Sequence, residues 1–204
     1  MEYIAPTTEE VWKFATEIAI PFSEIERAIK ISDGSRFETD GEHTTSLALV
    51  ACAVADRLGL DVGLTAQLAI VHDVVERFAG DTSVWASKKE LSSKSQREAE
   101  SLILIKREYD ISFPWIGRMI ERYERLEDEE ARLVKSLDKV MPTIMHLLND
   151  GEHSKREGIT YEMHLEKVED MQILINVHPV ASQYHKDLMR VFDDRRDDLY
   201  PVSS

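Results

Sequence analysis

Apolar residues recur along this chain with the spacing of α-helices. In the longest such segment, 127–148, the residues Ala131, Val134, Leu137 and Met141 fall near one face. No run of alternating β-branched residues is long enough to predict a strand, so the pattern predicts an all-α fold. The predicted helices cover residues 8–20, 24–31, 44–58, 68–81, 96–109, 115–126, 127–148, 160–174 and 180–196.

Short sequence signals mark where these helices begin and end. Thr7 with Glu10, and Ser23 with Glu26, have the spacing of capping boxes and are predicted to open the first two helices. Pro142 is expected to kink the long helix. The segments between helices are predicted as a polar, glycine-containing loop at 32–41, a turn at 59–63, and a loop or short irregular helix at 82–95.

The length of the chain indicates one domain. With 204 residues, 43% of them hydrophobic, the chain can bury a single substantial core. No internal repeat or low-complexity linker divides it. We therefore expect a compact single domain over residues 1–204, in which 1–35 and 150–204 are helical extensions packed on the central part.

Charge and composition narrow the possible partners. The formal net charge of −14 would repel phosphates over most of the surface, so binding of long nucleic acid is not expected. The longest apolar run, Leu47–Ala55, is far short of the ~20 residues that cross a bilayer. The start of the chain lacks the basic and apolar regions of a signal peptide, and Cys52 is the only cysteine. We expect Cys52 to be a buried, inert thiol in a cytoplasmic protein that does not bind membranes.

Within the apolar segment 68–81, His72 and Asp73 stand side by side. Burying a carboxylate beside an imidazole is costly unless something compensates, and a metal ion commonly does so. Glu76 lies one helical turn beyond His72 on the same face. The segment is therefore a candidate metal site, although a His-Asp pair also arises by chance.

Two further residues can supply partners for this pair. His43 opens the predicted central helix after the glycine-containing loop, where it either faces a cavity or bonds to backbone. Asp138 lies on the apolar stripe of the long helix, four residues after Val134. A buried aspartate there needs a metal, several donors or a neighbouring Lys or Arg.

The order His43, then His72-Asp73, then Asp138 resembles the HD-domain metal-dependent phosphohydrolases. It is most similar to their small branch, the bacterial 5′-deoxynucleotidases and eukaryotic HD-domain relatives. The resemblance covers roughly residues 36–145. It is carried by Arg36 with Glu42-His43, by Leu68–Asp81, by Arg97–Glu100, and by Tyr123–Lys139.

The resemblance implies an HD-type helical bundle and a role for each motif residue. His43, His72, Asp73 and Asp138 would hold one divalent transition metal. These N and O ligands suit Mn, Co, Fe, Ni or Zn without choosing among them. Glu76 would act as general acid/base, Arg36 would clamp the phosphate, and Asp81 would lie beside the sugar and the metal-bound water. The alternatives are an exposed helix glutamate, a solvated loop arginine and a turn aspartate.

Several further residues are candidates for contact with the substrate. Phe37 stands where the deoxynucleotidases tend to carry Trp, and Trp85 either stacks on a base or belongs to the core. Lys88 and Lys89, with Lys94, either hold a longer phosphate chain or are solvated. The remaining histidines have no ligand-like spacing and are predicted to be structural or exposed: His146, His153, His164, His178 and His185.

Together these features predict a hydrolase that removes the 5′-phosphate from deoxynucleoside monophosphates. One alternative is a triphosphohydrolase that converts a deoxynucleoside triphosphate to nucleoside and triphosphate. Another is a catalytically inactive nucleotide-binding protein. In each case the partner is a small nucleotide. The habit of the resembled family, and apolar residues on the outer helices, also predict a homodimer.

Overall fold

Helices make up nearly all the regular structure in the computed structural model, which describes residues 5–201. The all-α prediction is confirmed, with one small sheet added. In chain order the elements are α1 (Thr8–Phe14), a π-helical segment (Ala15–Ala19), α2 (Ile20–Ser23), β1 (Glu26–Lys30), β2 (Phe37–Thr39), α3 (Asp40–Leu58), α4 (Val62–Val71), α5 (Glu76–Ala79), α6 (Lys88–Tyr109), α7 (Pro114–Arg125), α8 (Glu129–Leu148), α9 (Glu152–Glu157), α10 (Tyr161–Ile175), α11 (Pro179–Asp194) and α12 (Arg196–Leu199).

The antiparallel pair of β1 and β2 corrects the helix predicted at 24–31 and the expectation of no strand. The Ser23 hydroxyl donates to the carbonyl oxygen of Ile20, so this serine ends a helix instead of opening one. Glu26 then lies opposite Thr39 in the ladder. The strand exists because it pairs with a segment beyond the loop that follows it, and helical spacing does not detect such a pairing.

The core is built around α3, which packs against α4 and α8. Thr39 and Glu42 form a capping box, so α3 begins at Asp40, earlier than the predicted Thr44. It ends where Gly59 takes a left-handed conformation, with φ of 72°. The buried side chains that the three helices share include Leu47, Ala51, Ala55, Leu68, Ala69, Val134 and Leu137. This packing holds the start of α3, the end of α4 and the middle of α8 next to one another.

The helix predicted over 68–81 is interrupted in its middle. Helix α4 ends at Val71, and a turn precedes α5. Across this turn the hydrogen bonds span three residues instead of four. The amide of Val74 donates to the carbonyl oxygen of Val71, and the amide of Glu76 donates to that of Asp73. The interruption aims the side chains of residues 72–76 toward the core of the bundle.

The second half of the chain also departs from prediction at its start. Ser87 and Glu90 form a capping box, so α6 begins at Lys88 and takes in most of the stretch predicted as a loop. Helix α8 continues past Pro142. Helices α10 and α11 pack on α8, and a small separate core joins Phe192 to the end of the chain.

Three smaller predictions can be compared with the same structure. Cys52 is half-buried, not buried, and its thiol lies 3.8 Å from the carbonyl oxygen of Val62. Among residues 5–201, no helix is both long and apolar enough to cross a bilayer. The signal-peptide prediction rests in part on residues 1–4, which lie outside the described residues.

Candidate metal centre and its cavity

The four side chains predicted as metal ligands meet at one point in the core. His43 comes from the first turn of α3, His72 and Asp73 from the turn after α4, and Asp138 from the middle of α8. One donor atom from each lies within 4.8 Å of all the others. Such spacing suits a single ion, since first-row metals bind nitrogen and oxygen at about 2.0–2.2 Å.

The imidazole of His72 is oriented as a metal ligand. Its Nδ1 donates to the carbonyl oxygen of Ala69 at 2.8 Å, which leaves Nε2 with a lone pair. That Nε2 is buried and has no hydrogen-bond partner among the described residues. It faces the carboxylate oxygens of Asp73 at 2.9 Å and Asp138 at 3.7 Å. Although burial lowers the pKa of His72, the charges of Asp73 and Asp138 raise it, so this nitrogen and the two carboxylates require a cation between them. A metal ion fits that place.

His43 and Asp138 are buried as fully as His72. Nε2 of His43 lies 3.0 Å from Oδ1 of Asp138, while Oδ2 of Asp138 accepts from Lys139 at 2.7 Å. Burial lowers the pKa of His43, which favours the neutral, ligating imidazole. Burial by itself would raise the pKa of Asp138, but the charge of Lys139 and the bond to His43 hold that pKa well below its usual range.

An arginine that the sequence did not single out lies beside this centre. Strand β1 places Arg27 so that its Nη1 is 2.8 Å from Asp40 and 3.2 Å from Asp73. Arg36, the predicted phosphate clamp, is instead half-exposed and pairs with Glu42 at the start of α3. The sequence did not point to Arg27 because residues 24–31 were predicted as a helix. The strand that forms instead places this side chain beside the ligands.

Glu76 is buried, so the alternative of an exposed helix glutamate is wrong. Its Oε1 accepts from Lys94 at 3.2 Å, and its Oε2 has no partner within residues 5–201. Burial, followed by the charge of Asp73, raises the pKa of Glu76 above its usual range. Glu76 also lies close to Asp40 and Asp73, with one oxygen of each within 4.8 Å of the others.

A cavity of about 180 Å³ opens onto two of the four predicted ligands, Asp73 and Asp138. One water needs only about 10–15 Å³ measured in the same way, so the space fits a small organic molecule. We call its two parts the metal end and the distal end. The metal end is lined by Arg27, Asp73, Glu76, Asp81, Lys94, Asp138 and Lys139. The distal end is lined by Trp85, Thr143, His146, His153, Ser154, His164, Lys167, Val168, Met171 and His185.

The residues predicted to contact substrate divide into two groups. Asp81 and Trp85 line the cavity. Phe37 lies elsewhere, between the cations of Lys30 and Arg156 at 5.9 and 5.1 Å from its ring centre. The remaining predicted contacts, Arg36, Lys88 and Lys89, are exposed and are not part of the lining.

The histidines of the second half of the chain lie mostly at the cavity. Of the five predicted to be structural or exposed, four line its distal end. His146 follows Asp138 by eight residues on α8, and this spacing is the signal that could have placed it in the same cavity. The described part of the chain offers no metal-like group of ligands among them.

The comparisons with known proteins agree with this geometry. The sequence matches the HD domain family over residues 23–175, which is well over half of the chain. The chain therefore belongs to the HD domain family. No curated protein matches it.

Three solved structures are similar to the chain. A predicted metal-dependent phosphohydrolase from Magnetospirillum magnetotacticum MS-1 has 25% identity, covers 95% of each chain and has a TM-score of 0.77. A protein from Pyrococcus horikoshii OT3 has 20% identity, 91% and 97% coverage and a TM-score of 0.56. A conserved hypothetical protein from Pyrococcus furiosus has 18% identity, 90% and 99% coverage and a TM-score of 0.55. The two Pyrococcus proteins bear on the fold alone.

Proposed function

We propose that this protein is a metal-dependent phosphohydrolase that removes the 5′-phosphate from deoxynucleoside monophosphates. The observation that carries the proposal is Nε2 of His72, which is buried, has no hydrogen-bond partner among residues 5–201, and faces the carboxylates of Asp73 and Asp138 at one end of a cavity. The similar protein from Magnetospirillum magnetotacticum is described as a predicted metal-dependent phosphohydrolase, and this supports the reaction class.

The ligands assigned to one divalent ion are His43, His72, Asp73 and Asp138. When bound, such an ion supplies a water that loses its proton near neutral pH and offsets charge on the phosphoryl group. The ligand set suits Mn, Co, Fe, Ni or Zn.

Side chains around the ligands are assigned to bind the phosphate and to carry the proton. Arg27, Lys94 and Lys139 line the metal end and attract phosphate oxygens, with the planar guanidinium of Arg27 suited to two oxygens at once. Glu76 is the proton carrier, because its Oε2 is free of other bonds in the described structure and lies beside Asp73. Asp81 lines the same end and is assigned to the sugar hydroxyl or the attacking water.

A second candidate is hydrolysis of deoxynucleoside triphosphates. The observation in its favour is the number of cations in the cavity, since Lys167 at the distal end adds to the three at the metal end. Lys88 and Lys89, which the sequence offered for a longer phosphate chain, are outside the lining and give no support. The monophosphate reaction is therefore the primary proposal.

Product analysis separates these reactions. The purified protein is incubated with each deoxynucleoside mono- and triphosphate in Mn²⁺, Co²⁺ or EDTA, and the products are identified by phosphorus NMR. Orthophosphate from monophosphates supports the primary proposal, while triphosphate and free nucleoside support the second. No turnover with any metal contradicts both and leaves the inactive nucleotide-binding protein.

The homodimer stays a separate prediction. It is tested by light scattering on the eluting peak of a sizing column, where a dimer has twice the 23.4 kDa of the chain.

A further inference from the structure

The distal end of the cavity is walled by the part of the chain that follows the predicted ligands. Helix α8 runs along both ends, and the eight residues from Asp138 to His146 correspond to about 12 Å of helix axis. Helix α10 turns one face to the cavity, since its lining residues follow the spacing i, i+3, i+4, i+7: His164, Lys167, Val168 and Met171. A continuous surface thus leads from the metal end to the distal end.

Polar atoms at the distal end lack protein partners. His185, on α11, is only 3% exposed, and neither of its ring nitrogens hydrogen-bonds to a residue of the described structure. Nε2 of His146 has only a long contact of 3.4 Å with the hydroxyl of Ser154. Because both residues line the cavity, the ring nitrogens of His185 and His146 are available to a ligand or to ordered water there.

The histidines at this end are uncharged at neutral pH. Burial, and then the charge of His164, lowers the pKa of His146 to about 3. Burial, and then the charge of His185, lowers the pKa of His164 to about 4. A neutral imidazole offers one donor and one acceptor, and it therefore matches groups that also carry both.

The distal end also contrasts with the metal end in charge. Lys167 is the one charged side chain in the distal lining as described, and it lies 5.8 Å from the ring centre of Trp85 and beside Asp170. Trp85, Val168 and Met171 add apolar surface. This surface suits an uncharged, planar molecule with hydrogen-bonding edges, and it is unsuited to a second phosphate or to a metal ion.

We propose that the distal end binds the nucleobase of the substrate, with His185 and His146 bonding to its edge and the apolar side chains covering its face. The inference rests on the proposed function for its substrate class. It assigns a role in specificity to residues that lie beyond the resemblance over 36–145, most of them in the extension predicted over 150–204. His185 lies beyond the stretch 23–175 that matches the family.

Binding of free deoxynucleosides tests this inference without any reaction. Affinities of the four deoxynucleosides for the wild-type protein, His185→Leu and Val168→Phe are measured by titration calorimetry. We expect at least one deoxynucleoside to bind the wild type, and each variant to bind it about tenfold or more weakly. His185→Leu removes a hydrogen bond to the base, and Val168→Phe fills the space that the base would occupy. His178→Leu is the matched control, because His178 is equally buried but lies outside the cavity lining. Circular dichroism confirms folding, and Val168→Phe leaves every polar group in place should His185→Leu unfold.

Turnover then separates this inference from the function on which it rests. We compare a deoxynucleoside monophosphate with 2-deoxyribose 5-phosphate, which lacks the base. The variants are expected to lose kcat/KM on the nucleotide alone, with metal content unchanged. Deoxynucleoside binding without turnover of any phosphate would refute the proposed function and support the distal site. Equal losses on both substrates, or no binding of any deoxynucleoside to the wild type, would overturn the distal site, whose polar groups would then hold only water.

Discussion

The two ends of one cavity are built from opposite kinds of chemistry. The metal end gathers seven charged residues of the lining, whereas the distal end has a single charged side chain, Lys167, among imidazoles and apolar groups. Six of the seven charges at the metal end are paired: Lys139 with Asp138, Lys94 with Glu76, and Arg27 with Asp73. The distal end instead relies on neutral imidazoles.

The difference indicates how the work of the site is divided. A centre of paired charges is suited to hold an ion and a phosphate, since both are attracted by preorganised opposite charge. A pocket of neutral donors and acceptors is suited to distinguish one uncharged group from another, because a wrong group leaves buried polar atoms unsatisfied. Variants at the two ends should therefore fail in different ways.

The largest effect is expected from removing a metal ligand. In His72→Ala the Nε2 donor is lost, and metal affinity should fall by more than the roughly 10–100-fold cost of losing an outer-shell partner. Metal content after dialysis and phosphate release measure the effect, and EDTA treatment of the wild type should reproduce the loss reversibly. His178→Ala, at a buried histidine outside the lining, is the control. Full metal content with retained hydrolysis in His72→Ala would contradict the ligand assignment.

Glu76→Gln should lower the rate while keeping the ion. General acid/base groups contribute about 10²–10⁴-fold, so kcat should fall by that range with metal content unchanged. The same substitution at Glu98, a half-exposed neighbour of Lys94, serves as control. If kcat is unaltered, Glu76 is a structural partner of Lys94 and not the proton carrier.

Two arginines offer a direct comparison. The side chain of Arg27 is only 14% exposed and bonds to Asp40 and Asp73. Arg27→Met leaves these carboxylates unpaired, so it should lower the unfolding free energy by about 3–5 kcal/mol. It should also weaken phosphate binding. Arg36→Met breaks only an exposed pair and should change neither measurably. Urea unfolding and inhibition by inorganic phosphate provide the two readouts. The reverse order of effects would restore Arg36 as the phosphate clamp.

The smallest predicted effect is a pH dependence that belongs to the distal end. His146 has its pKa lowered to about 3 in the folded protein, against an ordinary 6.5, so the unfolded chain binds the proton first as pH falls. Above the ordinary pKa, protonation of this group does not lower the free energy of unfolding. Below it the free energy of unfolding declines, by roughly 2 kcal/mol between pH 7 and pH 5. Urea unfolding of the metal-free protein at both pH values measures the decline. His146→Leu should reduce it by that amount, and an unchanged decline would mean that His146 is protonated in the folded state.

The local pattern of the sequence was sufficient for most of the helices, and the family resemblance was sufficient to name the four ligand side chains. Helical spacing predicted most elements because each is set by residues three or four positions apart, as in α7 and α8. His43, His72, Asp73 and Asp138 could be named because their order and the residues around them resemble a family pattern, and the structure places their donor atoms together.

Only the tertiary structure decided which charged residues join the ligands. Arg27 reaches Asp73 because its segment pairs as a strand with β2, whereas Arg36 pairs with Glu42 at the start of α3. Such pairing depends on residues distant in the chain, so local periodicity assigned the segment to a helix. The distal end has the same origin. His146 and His185 lie on two helices that become neighbours only by packing, and one sequence carries no record of which helix faces meet across a cavity.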